Sequence, residues 1–148
     1  MEDIERVLIE RECERLVTAY CHYVDHDDAE RIAELFTEDG VWKSPEATLD
    51  GREAIRKAMA ERAANAGRMS RHVCNNLLID IVDEDHAEGV VYLTLYRHDG
   101  EEGRRFSPLG SPVMVGEYRD RFLRTAEGWR ITHREAAASF LRREESST

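Results

Sequence analysis

The stretch Ser70-Arg71-His72-Val73-Cys74-Asn75-Asn76-Leu77-Leu78-Ile79-Asp80-Ile81 decides how this chain folds, because a helical period gives way to a strand period inside it. Before it, apolar residues recur at spacings of three and four. From His72 onward the period is two, with Leu77, Ile79 and Ile81 alternating with Leu78 and Asp80. His72 stands at the switch, a titratable imidazole at the mouth of a strand, followed by two side-chain amides and an apolar run. That is a place where chemistry fits.

Working back toward the N-terminus, Cys13, Leu16, Val17, Tyr20 and Val24 lay one apolar stripe along a helix over residues 4–24. The acidic run Asp25-His26-Asp27-Asp28 ends it. Asp27 followed by Glu30 has the capping-box spacing and predicts a short second helix through Ile32, Leu35 and Phe36. Val41-Trp42 predicts a brief strand. Asp50 to Glu53 repeats the capping-box spacing and predicts a third helix over 54–66, with Ile55, Met59 and Ala63 on one face and Gly67 as a stop.

Working forward, Asp83-Glu84-Asp85 is a hairpin turn, and the strand over 88–97 puts Tyr92, Thr94 and Tyr96 on one face and Val91, Leu93 and Leu95 on the other. Residues 98–112, rich in Gly, Glu and Arg, predict a long loop that is either a lid or partner contact or a mobile hairpin tip. Residues 113–123 and 129–140 predict long strands joined by Ala126-Glu127-Gly128, and Glu144 to Thr148 is a tail expected to fray. Three helices followed by hairpin-linked strands imply an α+β fold, a curved, mostly antiparallel sheet with helices gathered on one face and a cavity where it curls over them. Phe36, Trp42, Met59, Leu78 and Met114 are its default core residues.

The chain has 148 residues, enough for one domain over 1–148 with a core that needs no disulfide or metal staple. A formal charge of -10 disfavours nucleic acid and anionic lipid as partners, and no apolar run reaches the roughly 20 residues of a membrane span. The acidic, amphipathic Met1 to Arg6 does not resemble a secretory signal, so a cytoplasmic location is expected. Cys13, Cys21 and Cys74, odd in number and without a Cys-x-x-Cys pair, read as reduced thiols. His22 and His26 lie four apart, yet the zinc-protease glutamate is missing and the helix ends near His26, so no metal is expected. No nucleophile elbow, phosphate loop or dinucleotide fingerprint occurs, and no cofactor is expected.

The element order, together with Leu35-Phe36-Thr37-Glu38-Asp39-Gly40-Val41-Trp42, Gly51-Arg52-Glu53-Ala54-Ile55, His72 with Asn76, Gly116-Glu117-Tyr118 and Gly128-Trp129-Arg130-Ile131, resembles the SnoaL-like branch of the nuclear-transport-factor-two-like superfamily over nearly the whole chain. The resemblance implies a cystatin-like, cone-shaped barrel. It also implies little about activity, since the scaffold hosts dehydratases, isomerases, cyclases, hydrolases, dioxygenase small subunits and binding domains.

Within that superfamily the functional positions are most similar to those of scytalone dehydratase and lindane dehydrochlorinase, where an Asp ending the first helix orients a His at the start of a following strand. The resemblance places Asp25 and His72 there. It departs at Trp42, where scytalone dehydratase presents a tyrosine, and at Tyr92, near its second histidine. A neutral imidazole can take a proton from carbon and return it to a leaving group if a carboxylate fixes its tautomer. Tyr92 is expected to polarise a substrate carbonyl, with Tyr20 behind it, and Tyr20, Trp42, Asn76 and Tyr118 to contact substrate, Asn76 alternatively holding the strand edge.

The expected function is a cofactor-independent lyase or isomerase acting on a small apolar cyclic compound. The alternatives are a non-catalytic assembly subunit, such as the small subunit of an aromatic-ring-hydroxylating dioxygenase with a filled cone, or a polyketide cyclase-like enzyme. A small-molecule substrate and a homodimer or homotrimer are the expected partners.

Overall fold

In the computed structural model, which describes residues 1–143, helix α1 spans Asp3–Asp25. Its buried stripe, Ile9, Cys13, Leu16, Val17, Tyr20 and Val24, follows the three-and-four spacing of the sequence. The chain turns at Asp27, which takes a positive φ of 63°, so this residue cannot cap a helix as its spacing suggested. The next element is a 3₁₀ helix, Ala29–Leu35, and its N-cap Asp28 makes no side-chain capping bond. Helix α2, Arg52–Ala63, begins at Gly51, also without a side-chain cap. Neither capping box forms.

Six strands make one sheet: β1 (Phe36–Lys43), β2 (Thr48–Asp50), β3 (Arg68–Ile81), β4 (His86–Asp99), β5 (Met114–Thr125) and β6 (Gly128–Leu141). Their order is β2-β1-β6-β5-β4-β3, antiparallel throughout except for the parallel β1–β6 pair. The α+β class holds, but the sheet is open, with β2 and β3 at its edges, and does not close into a barrel. The strand foreseen at Val41-Trp42 is a β1–β2 hairpin. The foreseen tail, Glu144 to Thr148, lies outside the described residues.

Helix α1 packs on β3 and β6 and α2 on β1 and β2, all on the face that carries Val91, Leu93 and Leu95. Bulges set which residues reach that face. On β3 the register slips between Asn75 and Leu78, and Asn76 takes φ 58°, a left-handed conformation that asparagine tolerates. One extra residue flips the parity, so Ser70, His72 and Cys74 face inward before the bulge and Leu77, Ile79 and Ile81 after it. Leu78 thereby becomes 65% exposed rather than core. Asn76 is exposed too, a bulge residue on edge strand β3 that lies outside the lining of the cavity bordered by His72.

A second slip, between Arg121 and Phe122 on β5, sets two β6 residues against one and carries Arg134 inward on a strand whose earlier inward residues are Trp129 and Ile131. At Gly116 the backbones of β5 and β6 come so close that a Cβ would collide with the Ala137 carbonyl. Among the described residues no helix is long and apolar enough to cross a membrane.

The loop after β4 is pinned rather than free. Arg104 donates to the carbonyls of Gly67 and His98, each at 2.8 Å, and to Ser107 Oγ at 2.9 Å. No residue of 100–112 lines the cavity that His72 borders, so the loop is no lid on it, and residues 107–111 border a separate surface pocket.

Candidate active site

The end of α1 and the start of β3 meet at a buried carboxylate. Asp25 Oδ1 accepts from His72 Nδ1 at 2.7 Å and from Ser70 Oγ at 2.8 Å, and Oδ2 accepts from the His72 backbone N–H at 2.8 Å. The two side chains are nearly shut off from solvent, His72 at 7% and Asp25 at 4% exposure. Burial alone would raise the Asp25 pKa, but the ring, the backbone amide and the serine hydroxyl together hold it below its ordinary value. For His72, burial is the larger influence and pushes its pKa down. The Asp25 contact opposes that, while Arg62 and Arg134 reinforce it. The resting pair is therefore carboxylate and neutral imidazole, with the proton on Nδ1 and the Nε2 lone pair unprotonated.

His72 also lines a cavity of about 330 Å³. Its walls are largely apolar, with Val24, Met59, Leu93, Leu95 and Met114 among them, and small side chains at Ala136, Ala137 and Ala138 leave the space. The turn Ser44 to Ala47, between β1 and β2, borders it. Tyr20, Trp42 and Tyr118, three of the residues expected to contact substrate, line it. Trp42 Nε1 donates to Tyr20 Oη at 3.1 Å, so the Tyr20 hydroxyl retains its own proton to donate. Burial raises the Tyr20 pKa and holds that of Tyr118 well above the ordinary phenol value, which keeps both as proton-bearing donors. The Tyr20 ring sits edge-on to Tyr118 at 5.6 Å and to His72 at 6.5 Å.

Tyr92 does not join them. The Val91, Leu93 and Leu95 face of β4 is the inner one, and Tyr92, on the opposite face, is 53% exposed. Its expected role as polariser is corrected on that ground. The His22 and His26 rings stack at 5.7 Å on the surface of α1, away from this cavity.

Two arginines were not foreseen. Arg134, fully buried, donates to Asp120 through Nε at 2.7 Å and Nη2 at 2.8 Å. Its guanidinium lies 4.3 Å from the Tyr20 ring centre and 4.0 Å from that of Tyr118, backing the two phenols that line the cavity. Burial would depress its pKa, but Asp120 more than restores the charge. Arg62, on α2, lines the cavity and donates through Nη2 to Ser70 Oγ at 3.1 Å, one link from Asp25. Arg134 had no sequence signal of its own, but its partner Asp120 and the cavity residue Arg62 did. Asp120 lies two residues beyond Tyr118 on one strand face, and Arg62 follows Ile55 and Met59 at helical spacing on an apolar stripe.

A six-strand open sheet capped by helices, with the histidine of a buried Asp–His pair bordering an apolar hollow, defines the class of protein. Residues 5–135 match the SnoaL-like domain family, and the chain belongs to it. No curated protein sequence matches the chain.

Among solved structures, a variant of a protein of unknown function from Mycobacterium tuberculosis is 26% identical, with a TM-score of 0.76 over 95% of this chain and 78% of that one. A candidate scytalone dehydratase from Novosphingobium aromaticivorans is 22% identical, with a TM-score of 0.81 over 99% and 94%. The hexachlorocyclohexane dehydrochlorinase LinA-type3 from Novosphingobium barchaimii is 16% identical, with a TM-score of 0.75 over 95% and 93%. At such identities the last two likenesses concern the fold.

Proposed function

We propose that the protein is a cofactor-independent lyase or isomerase in which His72 removes a proton from a carbon of a small, largely apolar, cyclic substrate. The observation that carries this reading is an imidazole bonded through Nδ1 to a buried carboxylate at the wall of an apolar cavity. Dehydratase and dehydrochlorinase names among its structural neighbours support the lyase class.

In the proposed step the Nε2 lone pair takes the proton, and the imidazolium so formed is stabilised by Asp25 at 2.7 Å. Charge left on the substrate passes to a carbonyl oxygen or to a leaving group. Tyr20 donates a hydrogen bond to that oxygen, the task first assigned to Tyr92. The imidazolium then returns its proton, either to a departing hydroxyl, which completes an elimination, or to another carbon, which completes an isomerisation. Apolar walls favour the chemistry by excluding water that would level the base.

An assembly subunit with a filled cone is disfavoured by the open cavity. The test is a panel of small cyclic β-hydroxy, β-halo and enolisable carbonyl compounds, followed by His72→Ala and Asp25→Asn on any compound turned over. Turnover surviving both substitutions within about tenfold, under roughly 1.4 kcal/mol of barrier, would reject the dyad.

A further inference from the structure

Helix α2 buries Ile55 and Met59 and then presents Arg62 on the same stripe, where the helical period calls for another apolar side chain. Placing a guanidinium there costs desolvation, and proteins ordinarily offset that with a carboxylate. Arg62 has none. Among the described residues its side-chain hydrogen bond goes to a neutral group, Ser70 Oγ, at 3.1 Å. Its cationic neighbour in the cavity wall, Arg68, is engaged by Asp99 through two bonds at 2.8 and 3.0 Å. The remaining charged side chain of the lining is Glu46, exposed on the β1–β2 turn.

We propose that Arg62 is the anion-recognition residue of this cavity, and that the ligand is a small, otherwise apolar carboxylate held by Arg62 with its carbon skeleton against the apolar wall. The proposal rests on the cavity being the substrate site, and it narrows the substrate class from cyclic compounds in general to cyclic carboxylic acids. A carboxylate suits a single guanidinium, which it can meet through two parallel hydrogen bonds. A phosphate dianion fits less well, since one guanidinium leaves charge uncompensated among apolar walls, in a chain whose formal charge is -10.

The position is also useful chemically. Arg62, Ser70, Asp25 and His72 form one chain of hydrogen bonds at 3.1, 2.8 and 2.7 Å. A ligand gripped by Arg62 is thereby fixed relative to the base, and orientation of this kind lowers barriers by restricting the reacting geometry.

The experiment is calorimetric titration of the whole protein with benzoate and cyclohexanecarboxylate against their primary amides, which keep shape and lose charge. The expected result is a preference for each acid of at least about tenfold, roughly 1.4 kcal/mol. Arg62→Gln, which keeps a donor toward Ser70 but not the charge, is expected to abolish that preference, while Tyr92→Phe, on the outer sheet face, keeps it. Equal affinity for acid and amide, no binding of either acid, or a preference that survives in Arg62→Gln would overturn the proposal. Should Arg62→Gln fail to fold, the wild-type comparison decides whether the cavity prefers an anion, and Arg62→Lys, which retains a point charge without the planar fork, is expected to keep part of the preference. An acid preference that depends on Arg62 in a protein that turns over nothing would uphold this subsite while the lyase reading falls.

Discussion

The Asp25 carboxylate accepts both the Nδ1 proton of His72 at 2.7 Å and the backbone amide of the same residue at 2.8 Å, so ring and strand are positioned by one group. Asp25→Asn keeps the size and removes the charge, and an amide can present N–H where the ring needs an acceptor. We expect kcat to fall at least about a hundredfold, roughly 2.7 kcal/mol, with secondary structure unchanged by circular dichroism. A loss under tenfold would show that the carboxylate does not act through the ring.

The pH dependence has a definite sign. Both groups have lower pKa values in the folded protein than their ordinary values of 6.5 for the histidine and 3.8 for the aspartate. On acidification the unfolded chain takes up protons first. The stabilisation from each group is thus present above its unfolded value and is lost as pH falls through the folded one. We expect Tm to decline progressively once the pH drops below 6.5, and the acid limb of kcat/KM to lie below 6.5, since only the neutral ring is a base. An acid limb well above that value would mean that a charged imidazole is the resting form.

Tyr20 and Tyr92 have opposite environments, one buried at 2% exposure and bonded to Trp42, the other 53% exposed on the outer sheet face. Tyr20→Phe is expected to lower kcat between about tenfold and a hundredfold by removing one donor to the developing negative charge. Tyr92→Phe should leave kcat/KM within about twofold. Steady-state kinetics of the two variants side by side read the contrast, and reversed magnitudes would place the polarising phenol elsewhere.

Asp120 and Arg134 face each other across β5 and β6 with no solvent exposure of either side chain. Removing one partner leaves a buried charge uncompensated, so Asp120→Asn or Arg134→Met is expected to cost about 3–5 kcal/mol in denaturant unfolding. Replacing both, Asp120→Leu with Arg134→Met, should cost less than the sum of the single changes. Additive losses would show that the pair is not the reason for the burial.

Much of this architecture was legible in the sequence, because its periodicities are strong. The stripe on α1 and the alternation of Val91, Leu93 and Leu95 both reappear as buried faces. That same alternation already put Tyr92 on the outer face, and its assignment to the cavity came from resemblance against the pleat. The bulges were the illegible part. A single extra residue near Asn76 exposes Leu78, and another ahead of Arg134 turns a charged side chain inward, neither of which an unbroken period of two can anticipate. The cavity itself depends on small residues at Ala136, Ala137 and Ala138, whose meaning appears only when β6 is set beside its neighbours.

In the proposed function Asp25 holds His72, at the cavity wall, as a neutral base with Nε2 unprotonated. The most direct measurement is long-range proton–nitrogen correlation NMR of the imidazole ring, followed through a pH titration of the wild type and Asp25→Asn. The expected result is a neutral ring at pH 7 with the proton on Nδ1, a midpoint below 6.5, and a mixed or reversed tautomer in Asp25→Asn. A ring charged at pH 7, or one that carries its proton on Nε2 in the wild type, would contradict it.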